Sequence, residues 1–595
     1  MIGKRGDQEV DENPSSNIET AAADRAPSSN EDTKPETELP AEDAQRGVQD
    51  AEAVTLTWSK GTLITVFILY GQKLTKDASY SMFLLYFVNG MQSNILYNLI
   101  PFVTSDFELH SLLTVIYIVA NAISGAVYIP LAKVLDLWGR AEGFLFMLIL
   151  AELGLILMAA CNGLSMFCAA YTFYSVGFGG MTYCIDVITA DASKLKNRAL
   201  AYAFTSSPYI ITAFAGPKAA DEFYTNLSWR WGFGTFAIIL PFVATPLFVI
   251  FKINLHKAGK RGIIPPRTSQ RTLVEGIVHY ADEFDIVGVF LFAAGMVIFL
   301  LPFSLADSAP KGWATGYIIA MIVLGFILLV VFGVYESLWA RKPFLNAALI
   351  ANRTVFAACL LNVTYMISYY CWNSYYTSFL QVVNDLSIET AGYVASTFDV
   401  VSGLLLLGVG FVIRKTGYFK WLLYIAVPLY TFGQGLMIYF RKPNTNIGYL
   451  VMCQIFISIG GCIFISVEQL AILAASDHQH VAAVLALLYV VGTIGASIGN
   501  TISATIWTNT FETALVRYLP ESALPDLVTI YSDLETQLSY PWDSPTRIGI
   551  QKAYGYAQER MLATGTAFMI FGFIAMFLIK NINVKKIQQT KGTVF

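Results

Sequence analysis

The chain has 595 residues, of which 55% are hydrophobic, 14% aromatic and 13% charged, about half the charged share of an ordinary soluble domain. This composition excludes a soluble enzyme and predicts an all-α polytopic membrane protein. The formal net charge of −4 belongs to the head of the chain, because residues 1–53 hold 14 acidic and 5 basic side chains while the rest hold 28 and 33.

Residues 1–57 are polar, rich in Pro, Ser and Glu and without aromatic residues. They cannot bury enough apolar surface to offset chain entropy, so a disordered cytosolic tail is expected. Its lysines, Lys4 and Lys34, would serve trafficking or ubiquitination machinery. No basic start with a short apolar run opens the chain, so no signal peptide is expected and the first span takes over targeting.

Segments apolar enough to span begin near Ser81, Leu112, Gly143, Met166, Ala199, Gly232, Ile286, Thr315, Val355, Ala391, Trp421, Ile447, Ala482 and Met561. At roughly 20 residues per crossing they predict about fourteen spans. The domain order is then an N-terminal half over 58–253, a basic loop 254–283, two additional spans over 284–340, a C-terminal half over 341–508, a polar loop 509–560, a last span 561–580 and a basic tail 581–595. Before the first span, Gly61–Tyr70 is apolar but short and reads as an interfacial helix, separated from the span by the polar stretch Gln72–Asp77.

The Arg/Lys-rich segments Lys133–Arg140, Lys252–Arg271, Arg414–Lys420 and Lys580–Lys591 are expected to face the cytosol by the positive-inside rule, with both termini. Asn509–Arg560, with 7 acidic and 4 basic residues, then lies outside as short helices forming a lid or capture surface. The sequon at Asn226 falls on the same side, whereas the one at Asn362 lies inside a span.

All seven cysteines sit in apolar stretches and none forms a CxxC, so neither a disulfide framework nor a zinc site is expected. His478 and His480 read as a solvated turn. No phosphate-binding GxxxxGK[ST] loop occurs, and no cofactor or nucleic-acid partner is expected.

After the second span comes Ala132-Lys133-Val134-Leu135-Asp136-Leu137-Trp138-Gly139-Arg140. It resembles the loop 2–3 signature of the major facilitator superfamily, with Ala132 where Gly is usual and Leu137 where Arg is usual. Asp136, Gly139 and Arg140 would form a charge relay that latches two helices in one state and releases them in the other. Gly410 to Lys420, with Arg414 and Gly417, echoes it after the tenth span, as a duplicated transporter fold predicts. The expected architecture is two six-helix bundles plus two extra helices.

The blocks Asp186–Asp191, Arg198–Ile211, Trp229-Arg230-Trp231, Ser378–Val383, Glu468–Ala471 and His478–Ala482 are similar to those of the fungal siderophore iron transporters, a fourteen-span branch of that superfamily. The resemblance covers roughly Trp58 to Asn581. It implies proton-driven uptake of intact ferric siderophores, mostly hydroxamates, with iron arriving already chelated. It also implies a plasma-membrane or endosomal location. Near relatives resemble glutathione or drug:proton exchangers, which is the alternative. A non-transporting nutrient sensor is the third reading.

Independently of the resemblance, Asn362, Tyr365, Tyr369, Trp372 and Tyr376 are spaced 3, 4, 3 and 4 apart, which places them on one helical face. Stacked rings with phenol and indole donors suit a bulky, nearly neutral ligand. Glu152 and Asp399 lie within spans, where an ionised carboxylate is costly, and are expected to carry protons. Asp186 and Glu468, toward the cytosolic ends, join them chiefly through the resemblance.

Overall fold

The computed structural model describes residues 46–57, 82–106, 113–263, 275, 283–306, 309–340, 351–476 and 480–587. The readings on Gly61–Tyr70, Gln72–Asp77 and His478 lie outside the described residues. The described residues fold into helices, with no strand among them.

Helix α1 (Arg46–Thr57) precedes an N-terminal bundle of α2 (Met82–Asp106), α3 (Leu113–Leu137), α4 (Arg140–Ala160), α5 (Leu164–Asp191), α6 (Leu195–Ser206), α7 (Pro208–Glu222) and α8 (Trp229–Lys260). A hairpin of α9 (Ile286–Leu300), α10 (Pro302–Leu305) and α11 (Gly316–Leu338) follows. The second bundle contains α12 (Arg353–Asn373), α13 (Tyr376–Asn384), α14 (Ile388–Ala395), α15 (Thr397–Thr416), α16 (Lys420–Phe440), α17 (Ile447–Ala474) and α18 (Val481–Tyr518). The chain closes through α19 (Leu527–Ser532), α20 (Leu534–Ser539) and α21 (Pro545–Leu578).

Among the described residues, ten helices are long and apolar enough to cross a membrane, and α9 is apolar but shorter. Helices α2, α5 and the α6–α7 pair carry more polar side chains, because they line the interface between bundles. The α6–α7 break falls at Ser207-Pro208. Proline is favoured at a helix start, and the Ser206 and Ser207 hydroxyls turn back to the carbonyls of Tyr202 and Phe204 at 2.9 and 2.8 Å.

Two expectations change. The last twelve residues of the acidic head form α1, packed against α3 and α8 with Gly47 against the carbonyl oxygens of Leu135 and Asp136. The connection expected over 509–560 is shorter. Helix α18 runs on to Tyr518, and α21 starts at Pro545 behind the Ser544 cap. Polar residues outside an apolar stretch can continue a helix once its first turns are nucleated, so helix length exceeds span length at both ends.

One end of the bundles, here the basic end, carries the α3–α4 turn. Gly139 takes φ 121°, which side chains rarely tolerate, and Arg140 turns inward. Its Nη1 donates to Asp136 Oδ1 at 2.8 Å and to the Leu135 carbonyl at 2.8 Å, and its Nε donates to Asp191 Oδ2 at 3.1 Å. All three charged side chains are buried. The echo in the second half is built differently. Gly417, at φ 81°, caps α15 with its N–H on Ile413 O at 2.7 Å, while Arg414 is exposed and makes no ion pair among the described residues.

The bundles meet at both ends. At the basic end Gly410 of α15 lies against the backbone of Leu200 on α6, and Tyr183 Oη donates to Ala482 O at 2.7 Å. At the opposite, crossover end, Gly392 of α14 lies against Pro217 of α7, and Lys218 pairs with Glu389 at 3.2 Å. There Leu534 N–H donates to Ser105 Oγ at 3.1 Å and Tyr224 bonds Glu535, so α20 of the second half docks on the first. Burial and then Glu535 raise the Tyr224 phenol above its ordinary pKa. The α9–α11 hairpin flanks this seam, with α9 on α3 and Thr505 Oγ1 donating to Phe303 O at 3.2 Å.

Removing one member of a buried ion cluster leaves the others uncompensated, at about 3–5 kcal/mol. Arg140→Ala is therefore expected to lower the thermal unfolding midpoint of the purified protein sharply. Arg414→Ala, at an exposed unpaired site, should change stability by no more than about 0.5 kcal/mol and leave that midpoint close to the parent's.

Candidate functional site

A cavity of about 220 Å³ lies between the bundles. Tyr97 of α2, Tyr117 of α3 and Tyr171 of α5 face Tyr369 and Tyr370 of α12 and Asn500 of α18 across it. Among the described residues that line it, none is charged. The rings hold one another edge to face: Tyr117 and Tyr171 at 5.7 Å and 83°, Tyr369 and Tyr370 at 5.4 Å and 88°. This is the favoured geometry for ring quadrupoles.

The wall on the second half comes from a broken helix. Helix α12 ends at Asn373, Ser374 is extended, and Tyr375 takes a left-handed φ of 56° before α13 begins. Tyr375 is held there by stacking on Trp507, with centroids 4.1 Å apart and 9° between planes. The break exposes polar groups to the cavity from Asn373 to Ser378. Tyr97 Oη donates to Asn373 Oδ1 at 3.0 Å and so bridges the bundles at the cavity wall. Asn500 Oδ1 and Ser378 Oγ are buried without a hydrogen-bond partner among the described residues, which leaves acceptors and hydroxyls for a ligand to meet.

Of the five residues expected on one face, four form a continuous run of ring contacts, Tyr365 to Tyr369 at 6.0 Å, Tyr369 to Trp372 at 5.2 Å and Trp372 to Tyr376 at 6.0 Å, but they do not all reach the cavity. Tyr369 lines the cavity. Asn362 is turned to α18, its Nδ2 on Leu488 O at 3.1 Å. Tyr365 packs into the second half against Tyr430 and Phe464, at 5.9 and 5.7 Å. Trp372 is fully buried against Tyr376 and Phe398, at 6.0 and 6.2 Å. Tyr376 lies beyond the helix break, and Arg441 stands 4.3 Å over its ring while donating to Trp372 O at 2.5 Å. The 3-4 spacing marks the core face of α12; the cavity face is the adjacent strip through Tyr370 and Asn373.

The carboxylates also divide. Asp186 on α5 sits where the bundles meet near the basic end: Oδ1 accepts from Tyr86 of α2 at 2.9 Å, and Oδ2 accepts from Tyr489 of α18 at 2.7 Å and Gln469 of α17 at 3.3 Å. Glu468, the neighbour of Gln469, is buried and its Oε2 has no partner among the described residues. Asp399 lies in the first turn of α15 with no hydrogen bond or ion pair among the described residues. Glu152 on α4 stands beside Ile149 and Ile156, which are 57% and 51% exposed, so it borders the outer face of the bundle. Of the motif residues, Asp136, Gly139 and Arg140 come together, with Asp191 as the partner that the motif itself does not include.

The sequence profile of the Major Facilitator Superfamily matches residues 82–362. The siderophore iron transporter mirB of Emericella nidulans is 55% identical, over 99% of this chain and 97% of its own length. The MFS siderochrome iron transporter B of Aspergillus fumigatus is 53% identical over 95% of this chain and 90% of its own. Among solved structures, the peptide transporter POT in complex with sulfate superimposes with a TM-score of 0.54 at 15% identity, covering 89% of this chain and 99% of that one. That likeness gives the fold, two bundles around a central cavity, and the identities give the branch. The chain belongs to the fungal siderophore iron transporters of the major facilitator superfamily.

Proposed function

We propose that the chain imports intact ferric siderophores of the hydroxamate type across the fungal plasma membrane by alternating access, coupled to inward proton flow. The basic end and both termini face the cytosol in this reading, and the crossover end faces outside, or the lumen of an endosome. The observation that carries it is the uncharged cavity of phenols and amides between two bundles that meet at both ends. Phenol hydroxyls donate to the carbonyl and N–O oxygens on the surface of a neutral chelate, and ring faces cover its apolar skirt. The siderophore's own oxygens satisfy the iron, so the carrier supplies no metal ligand and needs no cofactor. An exchanger for an anionic thiol such as glutathione would place a cation at its substrate, and none lines this cavity among the described residues.

Drug-sized ligands occupy pockets of about 300–1,000 Å³, more than the 220 Å³ found here. Seating such a ligand therefore requires the bundles to part around the cavity. A potential of about 100 mV contributes about 2.3 kcal/mol per proton and one pH unit about 1.4 kcal/mol. Together these support roughly several-hundred-fold accumulation for one proton per siderophore. Asp186, Asp399, Glu468 and Glu152 are the carboxyl groups available to carry it.

In fungal cells lacking other carriers, radioactive iron presented as triacetylfusarinine, ferrichrome or ferrioxamine should accumulate for at least one chelate and stop with a protonophore. No accumulation, with loss of glutathione or acidified medium on expression, would transfer the assignment to exchange. Tyr370→Phe and Tyr171→Phe each remove one cavity hydroxyl, worth about 0.5–1.5 kcal/mol. They should raise the dissociation constant about two- to twelvefold.

A further inference from the structure

Among the described residues, the contacts between bundles at the basic end include one ionisable acceptor, Asp186. Its donors come from both sides of the seam: Tyr86 belongs to the first bundle, Tyr489 and Gln469 to the second. We propose that Asp186 is the proton-controlled latch of the basic end, holding it shut when ionised and letting it open when protonated.

The geometry states the chemistry. An ionised carboxylate offers about four lone-pair sites and no donor, and here both oxygens accept, one of them twice. Protonation converts one oxygen into a donor. A phenol or amide N–H already aimed at it then meets a hydrogen instead of a lone pair. The bond lost or weakened is of the charge-assisted kind, about twice as strong as a neutral one. Two of the three donors, Tyr489 and Gln469, lie on the opposite bundle, so the loss falls on the closure rather than on the internal packing of α5.

The surroundings are neutral. On α6, Tyr202 donates to the main-chain carbonyl of Asp186 at 3.0 Å. On α3, Tyr128 packs on the Tyr489 ring at 5.0 Å, and on α7 Tyr209 meets the Tyr86 ring at 6.0 Å. On α17 the next charged group is Glu468, buried beside Gln469. Further along α5, Asp191 is bound with Asp136 of α3 to Arg140 of α4, and Arg198 of α6 donates to Ala190 O and Ser193 O at 2.9 and 3.2 Å. Asp186 makes no ion pair among the described residues, so no cation pins its charge state.

The latch rests on the proton-coupled reading and orders its steps. With Asp186 ionised the basic end is shut and the empty carrier is ready to open at the crossover end. A proton taken up from that side together with the siderophore neutralises the carboxylate, the basic end parts, and both leave to the solvent there. Loss of the proton restores the acceptor and closes the end again.

The test follows the basic end directly. Distance labels carried on unnatural amino acids at Lys196 and Lys415, exposed positions near the start of α6 and the end of α15, report its opening in the full-length chain in nanodiscs without substrate. The parent protein should shift from short to long distances as the pH falls from about 8 to about 5. Asp186→Asn should lose that dependence. Tyr489→Phe, which keeps the carboxyl but removes a donor that favours its ionised form, should move the midpoint toward higher pH. Parental pH dependence in Asp186→Asn, or none in the parent, overturns the proposal. Should Asp186→Asn fail to fold, an unmoved midpoint in Tyr489→Phe overturns it. Because no siderophore is present, a carrier of another substrate would still give the expected shifts, and a failed uptake assay would leave this result standing.

Discussion

For the alternating access proposed here, the two bundles have to hold each other firmly enough to close the cavity and weakly enough to part on every cycle. Inside one bundle that second demand does not exist. Arg140 is buried and paired with both Asp136 and Asp191 within the first bundle, a cluster that costs about 3–5 kcal/mol to break. Across the seam near the basic end the joints are hydrogen bonds and close backbone approaches: Tyr183 on Ala482 O, the donors of Asp186, and Gly410 against Leu200. Among the described residues, the ion pair that crosses, Lys218 with Glu389, lies at the solvated crossover end, with Lys218 about half exposed. A pair so exposed contributes at most about 1 kcal/mol and is cheap to open.

The same constraint accounts for the cavity. A lining of permanent charges would have to be desolvated each time the carrier contracts. Phenols and amides can pair with each other in the empty state, as Tyr97 does with Asn373, and exchange those bonds for a ligand's oxygens. Rings that pack edge to face keep their shape without one. The broken helix between α12 and α13 adds hydroxyl and carbonyl groups without adding charge, its left-handed Tyr375 held by the stack on Trp507.

Much of this was legible in the sequence and some was not, for physical reasons. The loop from Lys133 to Arg140 is contiguous, so its turn and charges were readable. The partner Asp191 lies 51 residues away, where only the fold brings it near. Periodicity found a face of α12 but not its direction, because aromatic residues serve a packed core and a ligand cavity equally well. Four of the five residues turned to the core or to α18. The period also ran across Ser374 and Tyr375, where no proline or glycine announces the break. The acidic head averaged its last twelve residues into a polar tail, hiding α1. Gln469 stood inside a recognisable block, whereas Tyr489 carried no signal of its own among the tyrosines of the chain.

The positions of the cavity and of Asp186 suggest how one informs the other without a chain of contacts. Helix α2 carries Tyr97 at the cavity and Tyr86 at the carboxylate. Helix α18 carries Asn500 and Tyr489 in the same two places, and α5 carries Tyr171 and Asp186. At 1.5 Å per residue the paired positions are about 16 Å apart on α2 and α18 and about 22 Å apart on α5. Three helices that reach both places transmit a tilt as rigid levers. Separating the bundles to seat a bulky ligand changes the angle at which α2 and α5 present Tyr86 and Asp186 to α18. In the proposed latch, protonation of Asp186 would conversely remove a restraint on the tilt that the cavity needs. Under the proposed proton coupling, it is enough that both ends of the same three helices cannot satisfy their hydrogen bonds at once, a two-state element that proton and substrate would each bias.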